Sequence, residues 1–494
     1  MTFLHYLGAA IVLGVIVGVG VLSGRGVRSA ADFTGGSRKS GTALVAGALV
    51  GTMVGGASTI GTAQLAYSNG LSAWWFTLGG GIGALLLTGL APRLRHAEAA
   101  TGPEIIGKEF GQRAASLAAV LSTSGSFMSV VAQMLSGMAL ITAVVKGMNP
   151  VLAVLAVLAL IGAYVVFGGM LGASQVGMVK TGIVALALGC CAALALGQVG
   201  GFAGLWGDPA LPHGLYFNFF GRGVGVDLGG CVSLVLGIVT EQAYLQALLS
   251  AKTVRVSQLG AGIAAVLMPA VGGFGVLVGL SMRVTHPGID SGLALPAFIL
   301  DYLPALPAGM ALAALLITVV GTGAGLSLGM ATIWVRDLIT PLRERASRRS
   351  QGSSGVKAPG ADISAAEIGV AGIDGRRPGK PPDALGLTRA VLVAVLAAAA
   401  LAAGADRGGL IMGWSFLSMG LRGAVAFGPL LAALFLPGRI RPSFALAAMI
   451  AGPLGTALGA WLLPGGVDPI WLGLGGALAV MALGFRSWNP KRRR

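Results

Sequence analysis

The sequence predicts an all-α protein that crosses a membrane many times. Of its 494 residues, 55% are hydrophobic and only 10% are charged, and the mean hydropathy is +0.85. Apolar runs long enough to cross about 30 Å of hydrocarbon recur along the whole chain. The chain also contains 83 glycines, and small residues allow membrane helices to pack closely. This composition is not that of a soluble globular domain.

Thirteen apolar runs predict thirteen transmembrane helices, which we number as spans 1 to 13. Their approximate bounds are 3–23, 42–69, 72–92, 114–145, 149–169, 175–198, 228–250, 258–281, 307–337, 387–405, 408–436, 442–463 and 469–486. Span 1 has neither a preceding basic segment nor a following A-x-A-like cleavage site. We therefore expect it to remain in the protein as a helix.

The distribution of basic residues predicts the orientation of these spans. Lys and Arg are enriched in the cytoplasmic loops of membrane proteins. With the N-terminus outside and the C-terminus inside, most of the 33 basic residues fall on the cytoplasmic side. The net charge of +16 then reflects topology and attraction to anionic lipid, and it requires no nucleic acid. We expect an integral protein of the cytoplasmic (inner) membrane of a prokaryote.

Residues 343–386 form a long polar segment between spans 9 and 10. They are rich in Arg, Ser, Gly and Pro and contain no sustained apolar run. Such a composition is typical of a flexible, solvated segment. We expect a cytoplasmic tether there, and a regulatory or partner-binding role is the alternative.

Two apolar segments that contain clustered glycines indicate the function class. One runs from Gly51 to Gly61, and the other runs from Gly229 to Gln242. Unwound backbone at membrane depth is tolerated only where protein or a polar cavity satisfies its N–H and C=O groups. A pair of such breaks at corresponding places in two halves points to the substrate site of a secondary transporter.

Other function classes find little support in the residues. The four histidines (His5, His96, His213 and His286) are scattered, and the three cysteines (Cys190, Cys191 and Cys231) lie in apolar runs. No spacing suggests a catalytic dyad or a metal cluster, and no phosphate-binding motif is present. We expect no enzyme activity, no catalytic residue, no cofactor and no ATP-driven transport.

Four motifs resemble those of the sodium:solute symporter family, which includes sodium/proline, sodium/pantothenate and sodium/glucose cotransporters. Their positions are Ser29–Arg38, Thr101–Arg113, Thr240–Lys252 and Ala331–Asp337. They occur in the order that the family has, and they extend over most of the chain. The third motif departs from the family, which usually has Asp where this chain has Glu241.

The resemblance implies a core of five plus five helices in an inverted repeat of the leucine-transporter type. Spans 2–6 (42–198) would form the first repeat and spans 7–11 (228–436) the second, separated by an extracellular loop at 199–227. Residues 1–41, with span 1 and a cytoplasmic loop, and residues 437–494, with spans 12 and 13 and a basic tail, would lie at the periphery. The substrate would bind between spans 2, 4, 7, 9 and 11.

The resemblance also implies one sodium site, between the break in span 2 and span 9. Aligned on Gly61 and Asp337, its ligand positions are Gly51, Val54, Thr318, Gly321 and Thr322. Backbone and hydroxyl oxygens suit such a hard cation. This chain departs from the family here, because Gly321 replaces a hydroxyl residue and Gly177 replaces a frequent Asp.

Lys180, in span 6, replaces a residue that is often Gln in the family. A lysine inside a membrane span is costly and is therefore a candidate for function. Its ammonium group can replace the sodium ion and carry a proton by alternating between charged and neutral forms. The alternative is that the side chain snorkels to the cytoplasmic headgroups.

Arg422 is a second cation within an apolar run, in span 11. Its planar guanidinium suits a carboxylate, which would make it a substrate ligand. The alternative is a structural pair with Glu241 or with backbone carbonyls. The other predicted substrate ligands are polar residues near the two breaks, namely Ser58, Thr59, Gln64, Gln133, Ser233 and Gln242.

Together these observations predict a cation-coupled symporter of a small organic solute that bears a carboxylate. The resemblance implies sodium as the coupling ion, and proton coupling through Lys180 is the alternative. A glycine at position 237, where sugar-transporting relatives have a tyrosine, speaks against a sugar. A transport-like membrane sensor is the other class to test. We expect the solute, sodium or protons and the lipid bilayer as partners, and the oligomeric state is left open.

Overall fold

All regular secondary structure that the computed structural model describes is helical. The described residues are 2–24, 38–145, 147–340, 342, 384–406 and 410–485, and within helices the side chains of 20–24, 165–175 and 384–386 are left out. Most of the loop predicted at 343–386 and the basic tail after 486 lie outside these residues.

Nineteen α-helices are described. They are α1 Phe3–Gly24, α2 Thr42–Met53, α3 Thr62–Asn69, α4 Trp75–His96, α5 Gly102–Phe110, α6 Gln112–Val144, α7 Pro150–Gln198, α8 Gly201–Gly207, α9 His213–Tyr216, α10 Val224–Thr240, α11 Gln242–Leu249, α12 Val254–Thr285, α13 Ala294–Tyr302, α14 Ala305–Ile333, α15 Ala384–Ala405, α16 Ile411–Arg422, α17 Gly428–Phe435, α18 Pro442–Leu462 and α19 Ile470–Leu483. Short π-helices connect or extend some of them, at Ala57–Gly61, Trp334–Ile339 and Gly423–Phe427.

The helices form a bundle that is apolar both inside and outside. The stretch Ala305–Ile339 lies at its centre, with 83% of its apolar window buried, whereas only 28% of the window of Pro442–Leu462 is buried. Exposed apolar side chains are typical of a surface that meets lipid, as at Trp461, which is 82% exposed. The prediction of an all-helical integral membrane protein is confirmed.

Eight helical stretches in the described residues are long and apolar enough to cross a membrane, or nine if α10 and α11 count as one bent span. Five further apolar helices are shorter, of 10–17 residues. The count of thirteen spans stays a prediction.

The first predicted break lies where the glycines indicated it. α2 ends at Met53, and Val54 has an extended backbone (φ −80°, ψ 95°). A π-helix follows at Ala57–Gly61 and leads into α3. Because Gly55 and Gly56 separate the two helical parts, we call this region the first break.

The second break lies inside the predicted segment Gly229–Gln242, but past its glycines. α10 continues through Gly229, Gly230 and Gly237 to Thr240. The chain turns at Glu241, whose backbone is extended, and α11 leaves at an angle of 49° to α10. A methyl group in place of a Gly230 hydrogen would lie 2.8 Å from the Phe416 ring. This glycine therefore permits close helix packing, not unwinding.

Spans 5 and 6 were predicted as two helices, but the backbone is helical without interruption from Pro150 to Gln198. The sequence after Pro150 contains no further proline in this range. Every residue there has the N–H that an α-helix requires, so the sequence permits a continuous helix. The described backbone contains no turn at 170–174.

Candidate functional site

The first break brings the predicted cation ligands together. The Thr322 hydroxyl, on α14, lies 3.4 Å from the Gly51 carbonyl oxygen and 3.2 Å from that of Val54, and it donates a hydrogen bond to them. These carbonyls belong to the last turn of α2 and to the residue that follows it, where backbone oxygens lack partners within the helix. The result is a buried group of backbone and hydroxyl oxygens between α2 and α14.

Three of the predicted substrate ligands stabilise the first break itself. Ser58 Oγ accepts a hydrogen bond from the N–H of Gly55 (3.0 Å). Gln133 Oε1, on α6, accepts one from the N–H of Gly56 (2.8 Å). Thr59 Oγ1 donates to the carbonyl of Gly55 (2.9 Å). The groups freed by unwinding are thus satisfied by side chains, as buried backbone requires.

Lys180 contacts α14 within one turn of Thr322. Its side chain is 2% exposed, and Nζ donates a hydrogen bond of 3.4 Å to the Thr318 carbonyl. The ammonium therefore points into the protein, which contradicts the snorkelling alternative. Neither α2 nor α14 contains an acidic or basic residue. No described carboxylate forms an ion pair with this lysine.

Two glycines make room for this arrangement. A methyl group in place of a Gly51 hydrogen would lie 2.6 Å from Gly177 Cα, so α2 and α7 touch at their backbones. At Gly321 such a methyl group would lie 2.7 Å from Lys180 Nζ. Two of the departures from the family, at positions 180 and 321, therefore form one contact.

The second break holds a buried ion pair. Arg422 Nη1 lies 2.6 Å from Glu241 Oε2, and both side chains are 1% exposed. Nη1 also donates to Ser126 Oγ (3.2 Å) and Ser418 Oγ (3.1 Å). Of the two roles considered for Arg422, the geometry matches the structural pair with Glu241. Its guanidinium is not free to bind a solute in this conformation.

A polar face of α6 connects the two breaks. Ser126, Ser129, Gln133 and Ser136 follow one another at helical spacing and are buried. Ser126 contacts the ion pair, and Gln133 contacts the first break seven residues further on, which is about 10 Å along the helix. Sequence reasoning missed the serines of this face, although their spacing of three and four is readable in the sequence.

The remaining predicted substrate ligands lie elsewhere. Gln64 Oε1 accepts a hydrogen bond from the N–H of Ile411 and fixes α3 to the start of α16. Ser233 lies where α10 passes Gly420 of α16. The Gln242 amide forms two hydrogen bonds near the start of α5. It donates to the Ala100 carbonyl and accepts from the N–H of Gly102. These side chains hold elements together in this conformation.

The chemistry available at the site is that of cation and solute binding. In the described part of the chain, no three His, Cys, Asp or Glu residues are grouped as in a metal centre. The oxygens at the first break are neutral carbonyls and hydroxyls, which suit a monovalent cation or an ammonium group.

Comparison with known proteins identifies the family. A sequence profile of the sodium:solute symporter family matches residues 33–358. No curated protein sequence matches the chain. A Na+-coupled sialic acid symporter in its substrate-bound, outward-open state has a similar structure, with a TM-score of 0.73 and 16% identity, over 98% of this chain and 97% of that one.

Mhp1, a nucleobase-cation-symport-1 family transporter in a closed conformation with bromovinylhydantoin bound, is similar with a TM-score of 0.57 and 11% identity, over 91% of this chain and 92% of that one. At such low identity these similarities show the fold alone.

The profile match covers more than half of the chain. The chain therefore belongs to the sodium:solute symporter family, whose members are transporters and not enzymes.

Proposed function

We propose that this protein is a secondary active symporter of a small carboxylate-bearing solute, in which Lys180 replaces the coupling ion of the family and carries a proton. The observation that carries this proposal is the position of Nζ, within 3.4 Å of the Thr318 carbonyl and against Gly321. Both positions belong to the cation site that the family resemblance implies. A tethered cation at that place excludes a free one.

The charge of the lysine can change during a transport cycle. Without a carboxylate in contact, a buried ammonium group is stabilised only by dipoles, so its neutral form is accessible. Losing the proton also weakens its hydrogen bond to the Thr318 carbonyl of α14. Protonation therefore favours the state in which α7 and α14 are held together.

The buried charges around the two breaks favour an anionic solute. In the described residues they are Lys180 and Arg422, and the carboxylate that forms an ion pair with one of them is Glu241. With the lysine protonated, one positive charge is left over in a medium where an unpaired charge is costly. A solute that carries one carboxylate cancels it. We place this solute between the breaks, along the polar face of α6.

Sodium coupling is the second candidate, and a specific observation favours it. The carbonyls of Gly51 and Val54 and the Thr322 hydroxyl still form an oxygen group like the one that the family resemblance implies. If Lys180 moved aside when neutral, this group would be available to a sodium ion.

The wider arrangement that we propose follows the sequence analysis. Thirteen spans would lie with the N-terminus outside and the C-terminus inside the inner membrane of a prokaryote. The repeats at 42–198 and 228–436 would form the five-plus-five core and rock against each other to expose the site alternately. Cation and solute would bind the two states with different affinity, which coupling requires.

The test is thermal stability of the purified protein in sodium, potassium and choline chloride over a range of pH. Proton coupling predicts a wild-type protein that responds to pH and not to sodium, and a Lys180→Gln/Gly321→Ser variant that gains a sodium response because the site is vacated and a hydroxyl is added. The matched control is Lys252→Gln, which changes an exposed lysine. A sodium response already present in the wild type would overturn proton coupling in favour of the second candidate.

Uptake into vesicles separates a transporter from a sensor. Proteoliposomes with an imposed proton gradient should accumulate a labelled carboxylate from a panel of small acids. Lys180→Gln should abolish gradient-driven accumulation. Binding of an acid without any accumulation would favour the sensor.

A further inference from the structure

The oxygens around Arg422 form a compact cluster at the second break. The Glu241 carboxylate and the hydroxyls of Ser126 and Ser418 contact the end of the guanidinium. Ser418 Oγ also donates to the Gly125 carbonyl at 2.6 Å and lies 2.6 Å from Ser129 Oγ. All of these side chains are buried. The cluster joins α6, α16 and the turn at Glu241.

This cluster serves only one end of the guanidinium. Both Nη atoms have partners, whereas Nε is buried and makes no hydrogen bond. A guanidinium offers donors along its whole fork, and a dedicated site would use them. The oxygens of the cluster therefore surround a single nitrogen, Nη1, at 2.6–3.2 Å, as they would surround a compact cation.

At each break, a cation in the fifth span of one half lies against a glycine in the third span of the other half. Lys180 lies in span 6, the fifth span of the first half, and its end lies against Gly321 in span 9, the third span of the other half. Arg422 lies in span 11, the fifth span of the second half, and it packs against Gly125 in span 4, the third span of the first half. A methyl group at Gly125 would lie 2.5 Å from Arg422 Cγ.

One difference separates the two clusters. At the first break all oxygens are neutral, whereas the second break includes the carboxylate of Glu241. A charged oxygen strengthens binding of a hard cation. The guanidinium cannot lose its proton, so this position stays filled throughout a transport cycle.

We infer that the second break contains a latent sodium site, formed by Glu241, Ser126 and Ser418, which the guanidinium of Arg422 fills. Arg422 is then a positioning residue that replaces a cation permanently. It holds the turn at Glu241 against α6 and α16 in every state. The inference rests on contacts at the second break and does not depend on the role proposed for Lys180.

Removing the tethered cation tests this directly. In Arg422→Ala, with Lys180 intact, sodium should enter the cluster and raise the thermal unfolding temperature by about 5 °C or more between roughly 1 and 100 mM NaCl. Choline chloride keeps the ionic strength constant. The gain is measured relative to the wild type, so any response of the first break cancels.

Two further variants control the result. Arg422→Lys keeps a tethered cation and should gain no sodium response. Arg422→Ala/Glu241→Gln removes the carboxylate and should lose the response of the single variant. An Arg422→Ala protein that is stabilised equally by sodium and choline would overturn the inference.

An Arg422→Ala variant that is too unstable for thermal unfolding still tests the proposed sodium site. If Arg422→Ala is unstable, the yield of monodisperse protein extracted in sodium should exceed the yield in choline several-fold. Equal yields would overturn the inference, because sodium would then not replace the guanidinium. A negative result for Arg422→Ala does not change the sodium response expected of Lys180→Gln/Gly321→Ser. The proposals for the two breaks can therefore be rejected independently.

Discussion

The two ends of the bundle are held together by different kinds of side-chain contact. α4 begins at Trp75 and ends at His96, and its 22 residues span about 33 Å, so its termini mark opposite ends. Near His96, buried polar side chains join the loop before α5 to α11 and to the π-helix Trp334–Ile339; we call this the polar end. Near Trp75, aromatic rings meet the loop before α10; we call this the aromatic end.

The polar end relies on directional hydrogen bonds between buried groups. Gln242 makes two, to the Ala100 carbonyl at 2.9 Å and from the N–H of Gly102 at 3.1 Å. Thr101 Oγ1 donates to Asp337 Oδ2 at 2.9 Å. Thr101 is 1% exposed, and Asp337 is 7% exposed.

The aromatic end relies on stacked rings with more exposed surfaces. Trp74 stacks on Phe219 with ring centres 6.0 Å apart, and Trp75 stacks on Phe220 at 5.5 Å. Phe219 is 37% exposed. The loop is also held by one hydrogen bond of 2.7 Å, from Trp75 Nε1 to the Phe219 carbonyl.

This difference determines how each end can open. A buried hydrogen bond that is left unmade costs about 1–3 kcal/mol, whereas an aromatic pair contributes about 0.5–1.5 kcal/mol and tolerates sliding. We therefore expect the polar end to open in one cooperative step and the aromatic end to loosen gradually. In the alternating-access cycle proposed above, the polar end would set the equilibrium between the two states.

Of the variants considered, Gln242→Ala should destabilise the polar end most strongly. It leaves the part-buried Ala100 carbonyl and the buried Gly102 N–H without these partners, so we expect a loss of about 2–4 kcal/mol in the conformation described here. Hydrogen–deuterium exchange across 97–111 should rise sharply. Gln246→Ala is the matched control, because this glutamine lies one turn further along α11 and its side chain makes no described hydrogen bond. Equal exchange in the two variants would show that the hydrogen bonds of Gln242 do not stabilise this end.

Thr101→Val should have the next largest effect. The change removes the hydroxyl that caps α5, where it accepts from the N–H of Glu104, and that donates to Asp337. We expect a loss of about 1–2 kcal/mol, read as a lower thermal unfolding temperature. Thr101→Ser keeps the hydroxyl and should behave like the wild type. If Thr101→Ser were equally unstable, the hydroxyl would not be the cause.

Trp75→Phe should have a smaller effect at the aromatic end. The ring surface is largely kept, and only the hydrogen bond to the Phe219 carbonyl is lost. We expect about 1 kcal/mol or less. Exchange should rise only in the loop that contains Phe219 and Phe220. A loss as large as that of Gln242→Ala would contradict the distinction between the two ends.

Lys108→Ala should have the smallest effect, although it lies at the polar end. Lys108 pairs with Glu104 at 3.9 Å, and its side chain is 49% exposed. It also donates to the Ala97 and Glu98 carbonyls at 2.9 and 2.8 Å, at exposed positions. Water can replace the lysine at these carbonyls, and exposed ion pairs contribute about 0–1 kcal/mol, so the unfolding temperature should barely change. A large drop would show that the number of polar contacts matters more than their burial.

The first break and its partners could be anticipated from the sequence because the signals were local or belonged to motifs. The glycine pair at 55 and 56 marked the place where α2 ends. The alignment on Gly61 and Asp337 selected Thr322, whose hydroxyl meets the Gly51 and Val54 carbonyls in the structure. Their role in binding a cation stays a prediction.

The second break was harder to locate because glycine has two uses in membrane helices. It unwinds backbone at Gly55, but it permits close packing at Gly230, and no local pattern separates the two. Gln242 presents a similar ambiguity. An amide that lines a cavity looks the same in sequence as one that fixes a loop, and its partner Gly102 lies 140 positions away.

The contact between Gly321 and Lys180 couples the effects of substitutions at these two positions. A β-carbon at position 321 would lie 2.7 Å from Nζ, so the flexible end of the lysine would have to move away from α14. Serine or threonine at 321 should therefore have a different effect with the lysine present than without it, as in an epistatic pair. Read together in homologous sequences, they should distinguish members with a tethered amine from members that bind a free ion.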